Sequence, residues 1–558
     1  MSKSFFTSKK HDSKVPKRPE SYKKNIYQNK VNPNFRKLGG GVGSYQGAFG
    51  RAEIKHLLSR TMFGYTRSDI DFFEGKTLDQ ALDILLQYES SISPPVNNYN
   101  GVENDPDHAL GETWINGPLK TDTVNFLQIR SFQDWTFGKA LNQERSIQEK
   151  MTLFWHNHFA TQTSGINFSQ IIYRQHDIFR RTGLGNFKEM LKAITLDPGM
   201  MIYLNGFKNQ KNAPDENYAR ELQELFTLGV DSGYTESDVQ EAARLLTGWT
   251  ITQTTGETFF EPSRHDTGNK TFSAFYNNQV IAGGNDGEAE LVQLLDMICS
   301  KEDVSKYICR KLYRFFVYYV IDENIESTII EPLADTFRAN NYDILPVLRQ
   351  LFKSEHFFDE YARGAMIKNP IDYYVSLHKL LETDMDFGGD FVQQYNVWDY
   401  NFLFGSISLM EYGNPPNVAG WEAYWNGPAY HELWINSATL PFRNQLADAT
   451  IYPGALTVKG SPIFADVIAY TETVPNAEDP NVLVDYVVEL FHPNEANAVQ
   501  KAELKALLLS GQAQDYYWTF AWQDYLADKT DEVKKQAVFF RLFSFFKKVM
   551  NMAEFQLS

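Results

Sequence analysis

Apolar side chains along this chain recur at spacings of three and four, which predicts amphipathic helices separated by Gly stops and fresh N-caps. Ile54, Leu57, Leu58 and Met62 mark the first helix, Gly64 ends it, and Thr66 with Asp69 makes an Asp-for-Glu capping box for the next. The same periodicity predicts helices from about Asn125 to Phe159, from Phe168 to Met190, and over about 215–228 and 236–247. It resumes over 287–299, 302–321, 326–340 and 344–353, and closes the chain at about 482–492, 500–511 and 531–552. Residues 91–120, with Pro94-Pro95 and Gly117-Pro118, and residues 411–437, rich in Gly, Pro and Trp, read as long loops. After Trp249 the sequence turns to Thr, Gly and aromatics, the mark of a small β-hairpin or an irregular lid. No repeat of fixed period is present. The expected fold class is all-α: a large multi-helix domain with long irregular loops and at most a small β-hairpin.

At 558 residues the chain exceeds the usual span of one hydrophobic core, so subdomains are expected. These are a basic, Pro- and Gly-containing flexible arm at 1–43, a helical body at 44–445, and a C-terminal helical subdomain at 446–558 packed on that body. The net charge of −17 argues against a nucleic-acid-binding body, but it is unevenly placed. Residues 1–50 hold eleven Lys/Arg against Asp12 and Glu20, a net of +9, so the remainder carries −26. Such an arm can contact a polyanion, fold back on the body or stay solvated. Aromatics make up 15% of the chain, enough to line a groove, although most aromatic rings pack in cores. Two cysteines, Cys299 and Cys309, imply no disulfide framework. No stretch reads as a secretion signal or a transmembrane span. A cytoplasmic location is the default, with export by a non-obvious route or with a partner as the alternative.

Two islands of unusual composition carry the candidate chemistry: Phe-Trp-His-Asn-His-Phe at 154–159 and Asp-Glu-Asn-Tyr-Ala-Arg-Glu-Leu-Gln-Glu-Leu-Phe-Thr at 215–227. On a continuing helix His156 and His158 diverge by about 200°. The poor helix sequence at 160–165 suggests an unwinding last turn, where two imidazoles can converge on a metal or each bond a carbonyl. Asn217, Glu221 and Glu224 share one helix stripe, as metal ligands or as acid and base. Arg220, four residues from both Glu216 and Glu224, offers a surface ion-pair ladder instead. His265-Asp266 on a turn supplies a further ligand or base. Asp105, Asp107 and Glu112 are a calcium candidate whose spacing is not that of an EF-hand. Phosphate-loop, dinucleotide-binding, zincin and nucleophile-elbow motifs are missing from the sequence.

Gly50–Gly64, Phe154–Phe159, Glu216–Gly229, Tyr234–Val239 with Ala242–Trp249, His265–Phe272 and Pro415–Trp421, in that order, resemble the bacterial family called domain of unknown function 1800. Trp434–Ser437 and Met552–Gln556 are similar to it as well. The resemblance spans about 41–558. It implies a large helical protein, often exported and often encoded beside a sulfatase-like family, domain of unknown function 1501. It also singles out His156, His158, Asn217, Arg220, Glu221, Glu224, His265 and Asp266 as one polar set. Two functional readings stand open. One is a hydrolase acting on a glycan or ester, with or without a divalent zinc, manganese or iron ion. Its metal ligands would be His156, His158 and His265, and its catalytic groups Glu221, Glu224, Arg220 and Asp266. Trp155, Asn217, Trp249, Trp421 and Trp425 would hold its substrate. The other is a non-catalytic binding or assembly protein that works with the sulfatase-like partner.

Overall fold

The computed structural model describes residues 37–230 and 232–558. Most of the expected arm, and with it the polyanion contact, lies outside them. Its last residues are docked: Leu38 is buried, Gly39 donates to Asp359 at 2.7 Å, and Glu355 donates to the Gly43 carbonyl at 2.8 Å.

The fold is mostly helical, and the local signals act where they stand. Thr66 and Asp69 cap Arg67–Phe73 reciprocally, as do Thr77 and Gln80 for Leu78–Leu85 and Thr235 and Asp238 for Glu236–Leu245. Pro370 and Pro480 open their helices at the position where a missing N–H costs nothing. Among the described residues the strands form three short antiparallel pairs. Trp249–Ile251 pairs with Thr258–Phe260, Lys270–Thr271 with Val280–Ile281, and Thr457–Val458 with Ser461–Pro462.

One large core runs from Leu38 to Phe555, so the C-terminal helices share it with the body. Helix Thr439–Thr450 crosses position 445–446, where the domain division was expected. A smaller aromatic cluster, with Trp114, Phe132, Trp135, Trp398 and Trp421, lies under the 91–120 loop. No described helix is long and apolar enough to cross a membrane.

At the centre stands helix Gln148–His158, every residue of which is buried. Glu149 meets the equally buried Arg180 through two hydrogen bonds of 2.9 and 3.0 Å. Removing one partner of such a pair strands a charge away from water. Glu149→Ala is therefore expected to cost about 3–5 kcal/mol in denaturant unfolding. The double variant Glu149→Met/Arg180→Met is expected to recover most of that loss.

Candidate functional site

The first island forms the last turn of the central helix, and its side chains leave in different directions. Trp155 Nε1 donates to the Gly183 carbonyl at 2.8 Å. The His156 ring packs on His176, Tyr412 and Trp421 at centroid distances of 4.4, 5.2 and 5.4 Å, and neither nitrogen has a hydrogen-bond partner among the described residues. Burial, then the charge of Arg180, pushes this imidazole down to about 3, so it is neutral. Asn157 Oδ1 accepts from the Trp421 N–H at 2.8 Å and so fixes the Pro415–Trp421 loop. His158 Nε2 lies 3.0 Å from the Phe226 carbonyl. A carbonyl only accepts, so Nε2 carries the proton and Nδ1 is left as an acceptor. The two histidines share none of their ring neighbours.

The second island spans helix Asn217–Glu224 and the turn after it. It meets the first at Phe226, whose ring lies 5.2 Å from that of Phe159. Glu221 and Glu224 are buried, and the Glu221 charge adds to burial in pushing the Tyr203 phenol up to about 12. Arg220 forms the Glu216 rung of the expected ladder at 3.0 Å, and its other ion pair, at 2.6 Å, goes to Glu236 of the next helix. Asn217 is half-buried, its N–H donating to Asp215 at 2.9 Å.

His265 and Asp266 belong to a separate network. His265 Nδ1 is 2.7 Å from the Thr247 carbonyl and Nε2 is 3.2 Å from Glu290, which also takes Lys270 at 2.6 Å. Hydrogen bonds from Arg244 hold the Asp266 carboxyl below its ordinary value. Trp249 packs on Phe260 across its hairpin. Among the described residues no group of three or more His, Cys, Asp or Glu is placed to hold a metal ion. At the calcium candidate, the Lys120 ammonium occupies the space between Asp105 and Asp107, at 2.8 and 2.6 Å.

What the first island does help to line is a pocket of about 790 Å³, counting space open to solvent. Phe154, Asn157 and His158 meet Leu225 and Val230 there, Tyr424 and Trp425 come from the Pro/Trp loop, and helix Glu302–Phe316 supplies Tyr307, Arg310, Lys311 and Arg314. Lys311 Nζ donates to His158 Nδ1 at 3.0 Å. Burial, then the charge of Arg314, pushes this amine down to about 7. Arg310 is engaged by Glu326 at 2.9 Å, whereas no described carboxylate pairs with Lys311 or Arg314. The sequence reading missed these residues. One signal could have found Lys311: it sits four after Tyr307 and three after Ile308, inside the apolar stripe of an amphipathic helix.

A family model described as "Protein of unknown function (DUF1800)" matches residues 56–557. The chain belongs to the DUF1800 family. No curated protein and no solved structure matches it. The DUF1800 resemblance read from the motifs therefore holds over nearly the whole described chain, while the family's description assigns no reaction.

His156, enclosed by rings and bonded to nothing polar, has the surroundings of a packing residue. His156→Ala is expected to lower stability by about 2–5 kcal/mol through the cavity it opens. His156→Phe, which keeps the ring and loses no hydrogen bond, is expected to stay within about 1.5 kcal/mol of the parent in the same denaturant titration.

Proposed function

We propose that this DUF1800 chain is an enzyme whose site is the His158–Lys311 pocket, and that it hydrolyses an ester bond in an anionic substrate. The observation that carries the reading is the Lys311 amine, hydrogen-bonded to His158 in a ring-lined pocket beside Arg314, with no described carboxylate paired to either cation. An amine near 7 is half-neutral at neutral pH and can act as a general base. The neutral His158 accepts one of its hydrogens and orients it. Arg314 is placed to attract the anionic end of the substrate or the oxyanion that develops at the ester carbonyl. Trp425, Tyr424 and Phe315 offer apolar walls. The described lining offers cations and rings instead of the two facing carboxylates that glycoside hydrolysis uses, which favours an ester over a glycan.

Under this reading Glu221, Glu224, Arg220 and Asp266 support the fold around the site instead of acting in it, and no metal-dependent step is required. The second reading, a non-catalytic assembly protein, is favoured by Trp155 and His265, whose polar atoms end on packing partners.

Chromogenic esters bearing a carboxylate, phosphate or sulfate test the proposal. Lys311→Met is expected to lower kcat/KM by about 10²–10⁴-fold. The parent rate is expected to rise with pH through about 7, as the amine loses its proton, and then to level off. Thermal unfolding separates the two readings. A buried cation without a counter-charge destabilises, so Lys311→Met is expected to hold or raise the melting temperature. Activity that survives in Lys311→Met, or a collapse of stability in that variant, would favour the assembly reading.

A further inference from the structure

Phe315 and Tyr424, stacked at 5.1 Å between ring centroids, bound the Lys311 pocket and also a second cavity of about 420 Å³, counting space open to solvent. We propose that this second cavity binds a small oxyanion: the carboxylate, phosphate or sulfate group of a free ion or of a larger ligand. The inference does not rest on the role given to Lys311.

The cavity gathers hydrogen-bond donors that lack acceptors. Arg60 is 4% exposed; its Nη2 donates to the Ala362 carbonyl at 2.9 Å, while its Nε has no partner among the described residues. His431 is 7% exposed. Its Nδ1 accepts from the Ile367 N–H at 3.1 Å, so the proton sits on Nε2, and Nε2 likewise has no partner. Tyr424 accepts from Asn369 at 3.1 Å, which leaves its own O–H to donate. All three side chains line the cavity.

The nearby carboxylate, Asp372, is already engaged. Asp372 takes the Lys150 ammonium on one oxygen and Asn369 Nδ2, at 2.5 Å, on the other. Lys368 and Arg443 add positive charge around Asp372, and Arg443 Nε and Nη2 are also without partners. Buried donors left unmatched are costly, and a group that only accepts and carries negative charge satisfies them at once. An oxyanion has those properties; water, which must also donate, meets them less well.

Isothermal titration of the full chain with sodium phosphate, sulfate or acetate, against chloride at equal ionic strength, tests this. At least one of the three is expected to bind at a single site. Acetate binding marks a carboxylate end, and phosphate or sulfate binding a tetrahedral group. His431→Asn keeps an acceptor for the Ile367 N–H and removes the free donor, so its fold is expected to survive. Affinity is expected to fall by about tenfold in His431→Asn and in Arg60→Gln, and to stay within about twofold in Lys311→Met. No binding by any of the three ions overturns the proposal. So does binding that is lost in Lys311→Met and kept in His431→Asn, which would place the ion in the neighbouring pocket.

Discussion

A helix reading Gln-Glu-Lys-Met-Thr-Leu-Phe-Trp-His-Asn-His can be buried on every side only if its polar groups find partners on whatever surrounds it. That requirement organises this protein. Gln148 holds the Glu89 N–H, Glu149 holds Arg180, Lys150 holds Asp372, Trp155 holds Gly183, Asn157 holds Trp421, and His158 holds Phe226. Six partners on five separate stretches of chain are thereby tied to one rod. The constraint also explains Gly420. Its backbone is at φ +87°, and a Cβ there would come within 2.3 Å of Asn157 Oδ1, so the loop can reach the helix only without a side chain at that position. His156 is the exception to the pairing rule, and its neutral form among four rings is the cheapest state for an imidazole with no partner.

The same rod sets the distance between the two cavities. Lys150 faces one and His158 the other, eight residues or about 12 Å apart along the helix axis. Phe315 and Tyr424 form a wall common to both. The Pro/Trp loop supplies Tyr424 to that wall and helix Glu302–Phe316 supplies Phe315; Asn157 anchors the loop, so the packing function of the first island and the shape of the pockets are coupled. Asn157 places a wall, while Arg310, Lys311, Arg314, Arg60 and Asp372, charged groups facing the two spaces, come from segments far away in sequence.

What could be read from the chain follows from how local each signal is. Helices 287–299 and 344–353 stand where periodicity put them, because one apolar stripe against a polar face is a local pattern. Helix Phe391–Ile407 was not read, since its apolar residues go nearly all round and leave no stripe. The Arg220–Glu216 pair was legible from its i, i+4 spacing, whereas the pair with Glu236, 16 residues on, was not. The position of His158 on a closing turn was legible too, yet its partner Lys311 lies 153 residues away. Convergence of distant segments depends on packing that no spacing rule contains. The expectation that His156, His158 and His265 would gather rested on composition and the family resemblance, neither of which carries distance, and the structure ties each to a different neighbourhood.

Buried amines without a carboxylate partner have a thermodynamic consequence for the fold as a whole. Lys311 and Lys368 are both pushed from an ordinary 10.5 to about 7, burial being the larger cause in each. Between about pH 7 and 10.5 the folded amines are neutral while the unfolded ones are charged. The unfolded chain then binds more protons, and stability rises with pH across that window. Below about pH 7 the full penalty is present, on the order of a few kcal/mol for each amine. An anion that enters the Lys311 pocket favours the charged amine and draws a proton in with it. By linkage its affinity increases as the pH falls toward 7, and binding returns part of the stability that the empty site gives up. Retaining such groups against that cost is what a protein built to hold negative charge requires, and it is the physical ground on which a binding role for this region stands.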